Sequence, residues 1–168
     1  MKKVCTLILM LLMFVGYTSA QESEDVYYLG YCNGEINSLG TGKSGECIVS
    51  AAIMIPKEDL EFLVGCDINK VRVGLAYWYG DLRPESITGW IRHSLDGPNQ
   101  AEGTTTELKP DDWSEVAFSE TYKITGENDI YIGYSYYQDK KLNCMSLSGT
   151  SVPNGCWIAK NDKWVDYS

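Results

Sequence analysis

The sequence predicts an all-β protein, an antiparallel β-sandwich of jelly-roll type with one short helix. Three observations predict it. Apolar residues recur at every second position in short stretches. Turn-forming Gly, Pro, Asn and Asp separate those stretches at a spacing of roughly ten residues, as in sandwiches and barrels. Helical punctuation occurs once, whereas a βαβ fold needs it repeatedly.

The chain has 168 residues and opens on a segment that does not read as fold. Lys2 and Lys3 precede an apolar run from Val4 to Val15, and Thr18-Ser19-Ala20 supplies small residues at a cleavable boundary. This is the layout of a secretory signal peptide over 1–20, with an apolar run shorter than the ~20 residues a membrane span requires. Residues 21–168 are then enough for one domain with a sizeable core. Of the 14 basic residues two belong to the leader, so 12 face 23 acidic ones, a net charge of −11. Such a surface repels phosphate backbones and anionic lipid, which argues against nucleic-acid binding and membrane-surface attachment. With no second apolar stretch long enough to cross a bilayer, no membrane insertion is expected after the leader is removed.

Cys47–Ile55 (CIVSAAIMI) is apolar on both alternations, as expected of a strand covered on both faces. Pro56 next opens Lys57–Val64, with Glu58 and Asp59 in its first turn and Gly65 after it, which predicts the short helix with Leu60 and Leu63 or Val64 inward. From Lys70 to Trp78 the period becomes two, with Val71, Val73, Leu75 and Tyr77 on one face. Ile87–His93 repeats the pattern, placing Ile87, Gly89, Ile91 and His93 opposite Thr88, Trp90 and Arg92. Further strands are predicted at 104–108, 113–118, 122–124, 129–137, 145–147, 156–159 and 164–167, nine or ten in all. Trp113 is expected to plug one end of the sandwich, and Gly133 to leave space where a large neighbour or a bend must fit.

Several of these stretches, in order, form a familiar set. They are Tyr28-Leu29-Gly30-Tyr31-Cys32, the strand ending Ile55-Pro56, and Ile68–Leu75. Ile91–Gly97, Trp113-Ser114-Glu115-Val116, Asp129–Tyr134 and Trp164-Val165-Asp166 follow. The set resembles the cleaved-adhesin-type jelly-roll modules of secreted bacterial surface proteins, of the gingipain and haemagglutinin kind. The resemblance implies a non-catalytic module, secreted or at the cell surface, whose relatives are attached to proteases or adhesins. It also makes a structural calcium ion an expectation, with no ligands carried over to particular positions.

The residues offer few catalytic candidates. His93 is the sole imidazole, and Ser94 beside it points to the opposite face of a strand, so no local nucleophile–base pair forms. Carboxylates that might serve glycoside hydrolysis are abundant, but no pair occupies matching positions on neighbouring strands. For calcium, Asp111-Asp112 and Asn128-Asp129 are the candidate oxygen clusters, and neither fits an EF-hand loop. Five cysteines remain after Cys5 leaves with the leader, and their spacing does not choose among pairings. Cys144 with Cys156 is the candidate disulfide, because the two flank a Gly/Ser/Pro-rich loop.

The aromatic residues give the strongest functional signal. Twelve Tyr and five Trp against three Phe mean that most rings carry a polar handle suited to a partly exposed binding surface. Trp78, Tyr79, Arg83, Trp90 and Arg92 form the candidate ligand-binding patch, with the rings providing apolar area and arginine a forked donor. A partner is therefore expected to be a glycan or a host or surface protein. A strand-donating, propeptide-like partner of a secreted protease and a carboxylate-dependent glycoside hydrolase are the alternatives.

Overall fold

The computed structural model describes residues 28–31, 35–36, 45–78, 82–146 and 152–168. The expected leader, Cys32 and Tyr79 lie outside these residues. Among the described residues eight strands form: β1 (Cys47–Ile55), β2 (Asp67–Leu75), β3 (Ile87–Arg92), β4 (Ala101–Thr105), β5 (Asp112–Lys123), β6 (Ile130–Gln138), β7 (Trp157–Lys160) and β8 (Lys163–Asp166). All pairings are antiparallel, in a six-stranded sheet ordered β4-β3-β6-β1-β7-β8 and a two-stranded sheet β2-β5. The all-β sandwich architecture follows from the alternation. No helix among the described residues is long and apolar enough to cross a membrane.

β1 lies at the centre of the large sheet, between β6 and β7, which explains its doubly apolar sequence. Val49 and Ile55 face the smaller sheet, while Ser50 and Ala52 are buried on the opposite face. Val49 packs with Val73, Leu75, Ile87, Val116 and Ile158 in one core cluster. Ile55 belongs to a second, with Ile91, Tyr122, Ile124 and Ile130. Leu60 and Leu63 join that second cluster from the segment after Pro56. This segment is a 3₁₀ helix over Lys57–Leu63, with Pro56 as its N-cap in extended geometry. Its first backbone amide is held by the Asp129 carboxylate at 3.0 Å.

Six strands cannot be covered by two. The segment after β6 completes the seal, with Leu142, Cys144 and Met145 buried in the first cluster. The Ala76 amide donates to the Cys144 carbonyl at 2.9 Å, and Met145 pairs with Leu75 in an isolated bridge; of the strand expected at 145–147, residue 147 lies outside the described residues. On the other side β5 runs against the edge strand β4, and Ser119 Oγ donates to the Glu102 carbonyl at 3.0 Å.

Other boundaries also differ from expectation. The expected strands at 113–118 and 122–124 are one continuous β5, because its register with β2 resumes beyond an irregularity between Ile68 and Lys70. The alternation from Val71 ends at Leu75, where β2 stops, so Ala76 is buried and Tyr77 is exposed. Trp113 does not plug the core. It sits opposite Gly74 on the outside of the small sheet, with the Arg72 guanidinium 5.5 Å from its ring centre. Ser114 and Val116 take the inward positions of that strand. β7 and β8 form a hairpin whose turn residues Asn161 and Asp162 both have positive φ (49° and 59°), the geometry a tight two-residue connection requires.

Outside β2, Glu115 accepts a hydrogen bond from Lys70 Nζ at 2.9 Å and lies 3.6 Å from Arg72 Nε. That hydrogen bond, reinforced by the charges of Lys70 and Arg72, holds the Glu115 carboxyl below its usual range. A depressed carboxylate stabilises the fold above its unfolded-state pKa and loses that contribution as pH falls through the folded value. Acidification below about 4.3, through the lower folded value, is therefore expected to erode this contribution, and Glu115→Gln to flatten the dependence slightly, since both partners are exposed. Urea midpoints of the two proteins across that pH range measure it.

Candidate functional site

The outer face of the six-stranded sheet, away from the core, is where chemistry-bearing side chains collect. Register fixes who meets there. One row of pairings places Thr88, Ser135, Ser50, Ala159 and Trp164 side by side on β3, β6, β1, β7 and β8. The next row is Trp90, Gly133, Ala52, Trp157 and Asp166. Small residues thus occupy the middle strands, and tryptophans stand on either side of them.

That arrangement lets the rings lean over the sheet. A Cβ on Gly133 would lie 2.5 Å from the Trp90 ring, so the indole occupies the space the missing side chain leaves. Trp90 Nε1 donates to Ser135 Oγ at 2.9 Å, and the Ser135 and Ser50 hydroxyls share a hydrogen bond of 2.8 Å. Trp164 meets Trp90 edge to face at 5.9 Å between ring centres. Their strands are four places apart, about 19 Å in a flat sheet, so the two rings reach towards each other over the small residues between. Tyr131, in the row beyond Trp90, makes a similar edge contact with Trp157 at 6.5 Å.

Arg92 completes the cluster. Its guanidinium lies 4.1 Å from the centre of the Trp90 ring, within the range of a cation–π contact. It is held in place by Nε donating to Asn99 Oδ1 at 2.6 Å and by a second nitrogen donating to the Leu95 carbonyl at 2.8 Å. Burial pushes the Arg92 pKa down, opposed by the negative charges of Asp162, Asp96 and Glu102. The result is a preorganised aromatic face with a fixed forked cation and acidic neighbours. Two of its donors are unspent. The indole N–H groups of Trp157 and Trp164 are buried and have no hydrogen-bond partner among the described residues.

The structure therefore brings together only part of the sequence-derived patch. Trp90 and Arg92 adjoin as expected, but Trp90 is only 1 % exposed and serves as the floor of the cluster. Trp78 packs against the first core cluster instead, because the alternation of β2 ends before it. Arg83 is exposed in the connection ahead of β3, away from any strand. Tyr131, Trp157 and Trp164 were not among the sequence candidates. Their signal was the alternation of β6 and the tryptophans flanking the hairpin turn, but strand order across the sheet is needed to bring them to Trp90.

The other candidates are dispersed. Asp112 begins β5 with Asp111 just before it, whereas Asn128 and Asp129 lie beyond the far end of this 12-residue strand. Asp112 Oδ1 accepts from the Trp113 amide at 2.7 Å, and no group of three metal-ligating side chains occurs among the described residues. The expected Cys144–Cys156 disulfide is not formed. Both are free thiols, as are Cys47 and Cys66, and burial raises the pKa of Cys144 and of Cys156. Their neighbours Tyr134 and Tyr136 are pushed above the ordinary tyrosine range, by burial first and by these thiols second. His93 follows β3 rather than ending it, and its Nε2 hydrogen-bonds the Tyr122 hydroxyl at 3.0 Å.

No family model, curated protein or solved structure matches this chain at a significant level.

Proposed function

We propose that this chain is an exported, non-catalytic binding module that holds a glycan against the outer face of its six-stranded sheet. The observation that carries the reading is the cluster of Trp90, Trp157, Trp164 and Tyr131 with Arg92 locked onto it. Sugar rings offer apolar C–H faces that pack on aromatic rings, and hydroxyl oxygens that accept from indole N–H and guanidinium donors. An indole N–H left unpaired out of water costs about 1–3 kcal/mol, a cost removed when an acceptor oxygen reaches it. Two such donors lie together here, on strands adjacent in the sheet. Asp162 and Asp166 flank them and supply acceptors for sugar hydroxyls. Binding rather than turnover fits a face whose cation is already engaged by Asn99 and the Leu95 carbonyl. The leader-like start of the sequence supports export.

A glycan array followed by calorimetry on the best ligand tests this. Trp157→Ala and Trp164→Ala are each expected to weaken binding about tenfold or more, as central aromatic anchors do, with the far-UV spectrum unchanged. Absence of saturable binding to any glycan, or binding that both variants leave intact, would overturn it. Capture of a secreted protein instead would favour the protein-partner alternative.

A further inference from the structure

A second concave feature lies between the 28–31 segment and the 3₁₀ helix. It is a cleft of about 440 Å³ whose walls include the rings of Tyr28, Tyr31 and Phe62, with Ile55 behind them and the carboxylates of Glu58 and Asp59 at one side. Two of the rings are largely exposed, Tyr28 at 71 % and Phe62 at 79 %. Tyr31 is fixed by its hydroxyl, which donates to the Met54 carbonyl at 2.9 Å. Neither Glu58 nor Asp59 forms an ion pair among the described residues, and no lysine, arginine or histidine lines the cleft. Asp59 lies close enough to Tyr31 that its charge, after burial, helps to raise the phenol pKa.

Aromatic faces attract cations through their quadrupole, and unpaired carboxylates at the rim attract them by charge. An acidic protein also raises the local concentration of cations around it. One ring of this cleft already does this within the chain, since the Arg72 guanidinium sits 5.4 Å from the centre of the Tyr28 ring. We propose that the cleft is a binding site for a small organic cation, an alkylated ammonium group whose methyl or methylene surface packs on Tyr31 and Phe62 while Glu58 and Asp59 balance its charge. An inorganic ion fits less well, because the walls offer few oxygens and much apolar surface. This site is separate from the tryptophan face and does not depend on the glycan reading.

Titration of the protein with choline and with its neutral isostere 3,3-dimethylbutan-1-ol, followed by NMR of the aromatic side chains, tests the proposal. Choline is expected to bind saturably and at least about fivefold more tightly than the isostere. Phe62→Ala, which removes an exposed ring, and the double variant Glu58→Gln/Asp59→Asn are each expected to cost choline about fivefold, with folding intact. Trp157→Ala is expected to leave choline binding unchanged. Equal affinity for the neutral isostere, indifference to both cleft variants, or loss of choline binding in Trp157→Ala would each overturn the assignment.

Discussion

Gly103→Ala is expected to be the most destabilising single-methyl change in the protein. An added Cβ would stand 1.8 Å from the Ala117 carbonyl oxygen, 2.8 Å from its carbon and 3.1 Å from Phe118 Cα. All three obstacles are backbone atoms of β5, so no rotamer change relieves the contact. The edge strand β4 must move away from β5, which also loosens the bond from Ser119 to the Glu102 carbonyl. Overpacking usually costs about 1–3 kcal/mol when side chains can yield. Here they cannot, and a loss of about 3 kcal/mol or more in urea unfolding is expected. Gly30→Ala is the control, since its nearest obstacle is a side-chain atom 4.0 Å away. A Gly103→Ala midpoint within error of that control would refute the close crossing of β4 and β5.

Trp90→Ala is the second large effect, expected at about 3–5 kcal/mol. The side chain is 1 % exposed although it stands on the face away from the core, so its removal opens a void between Gly133 below and Trp164 beside it. Ser135 loses its indole donor, and the Arg92 guanidinium loses the ring beneath it. Trp90→Phe keeps a ring but not the N–H, and is expected to recover more than half of the loss. Chemical unfolding of both variants, with m-values compared, measures this. A cost below about 1 kcal/mol for Trp90→Ala would mean that the outer cluster is superficial. The same result explains why Trp157 and Trp164 are better probes of ligand binding than Trp90, whose loss confounds affinity with stability.

The layered architecture was legible in the sequence because burial on one face imposes period two. Cys47–Ile55 announced a central strand through its apolar content on both alternations, and Ser50 and Ala52 are indeed buried beneath the outer tryptophans. Gly133 announced a large neighbour or a bend, and the Trp90 ring fills that space. Periodicity fails where backbone pairing ends. It carried Tyr77 inward past the end of β2, when Ala76 is the buried residue. It also gave Trp113 the wrong side of β5, since a strand's two faces are symmetrical until its partner is known.

The site was half legible for a related reason. Trp90 and Arg92 alternate on one strand and so declare a common face. Trp164 joins them from a strand four positions away, and adjacency of that kind depends on sheet order rather than on local pattern. The pairs Asp111-Asp112 and Asn128-Asp129 were each a candidate oxygen cluster in sequence, and a single long strand lies between them in the chain.

The imbalance of six strands against two has a dynamic consequence. Strands are locked by ladders of hydrogen bonds, but the cover formed by Leu142, Cys144 and Met145 meets β2, among the described residues, through an isolated bridge of Met145 to Leu75, to which the bond from the Ala76 amide to the Cys144 carbonyl belongs. Its opening exposes far less surface than global unfolding, so it lies at the low end of the protein's hierarchy of local openings. Within it Cys144 is fully sealed from solvent. Chemical access to that sulfur is thus governed by the breathing of a loop, and the rate at which it reacts becomes a clock for that motion.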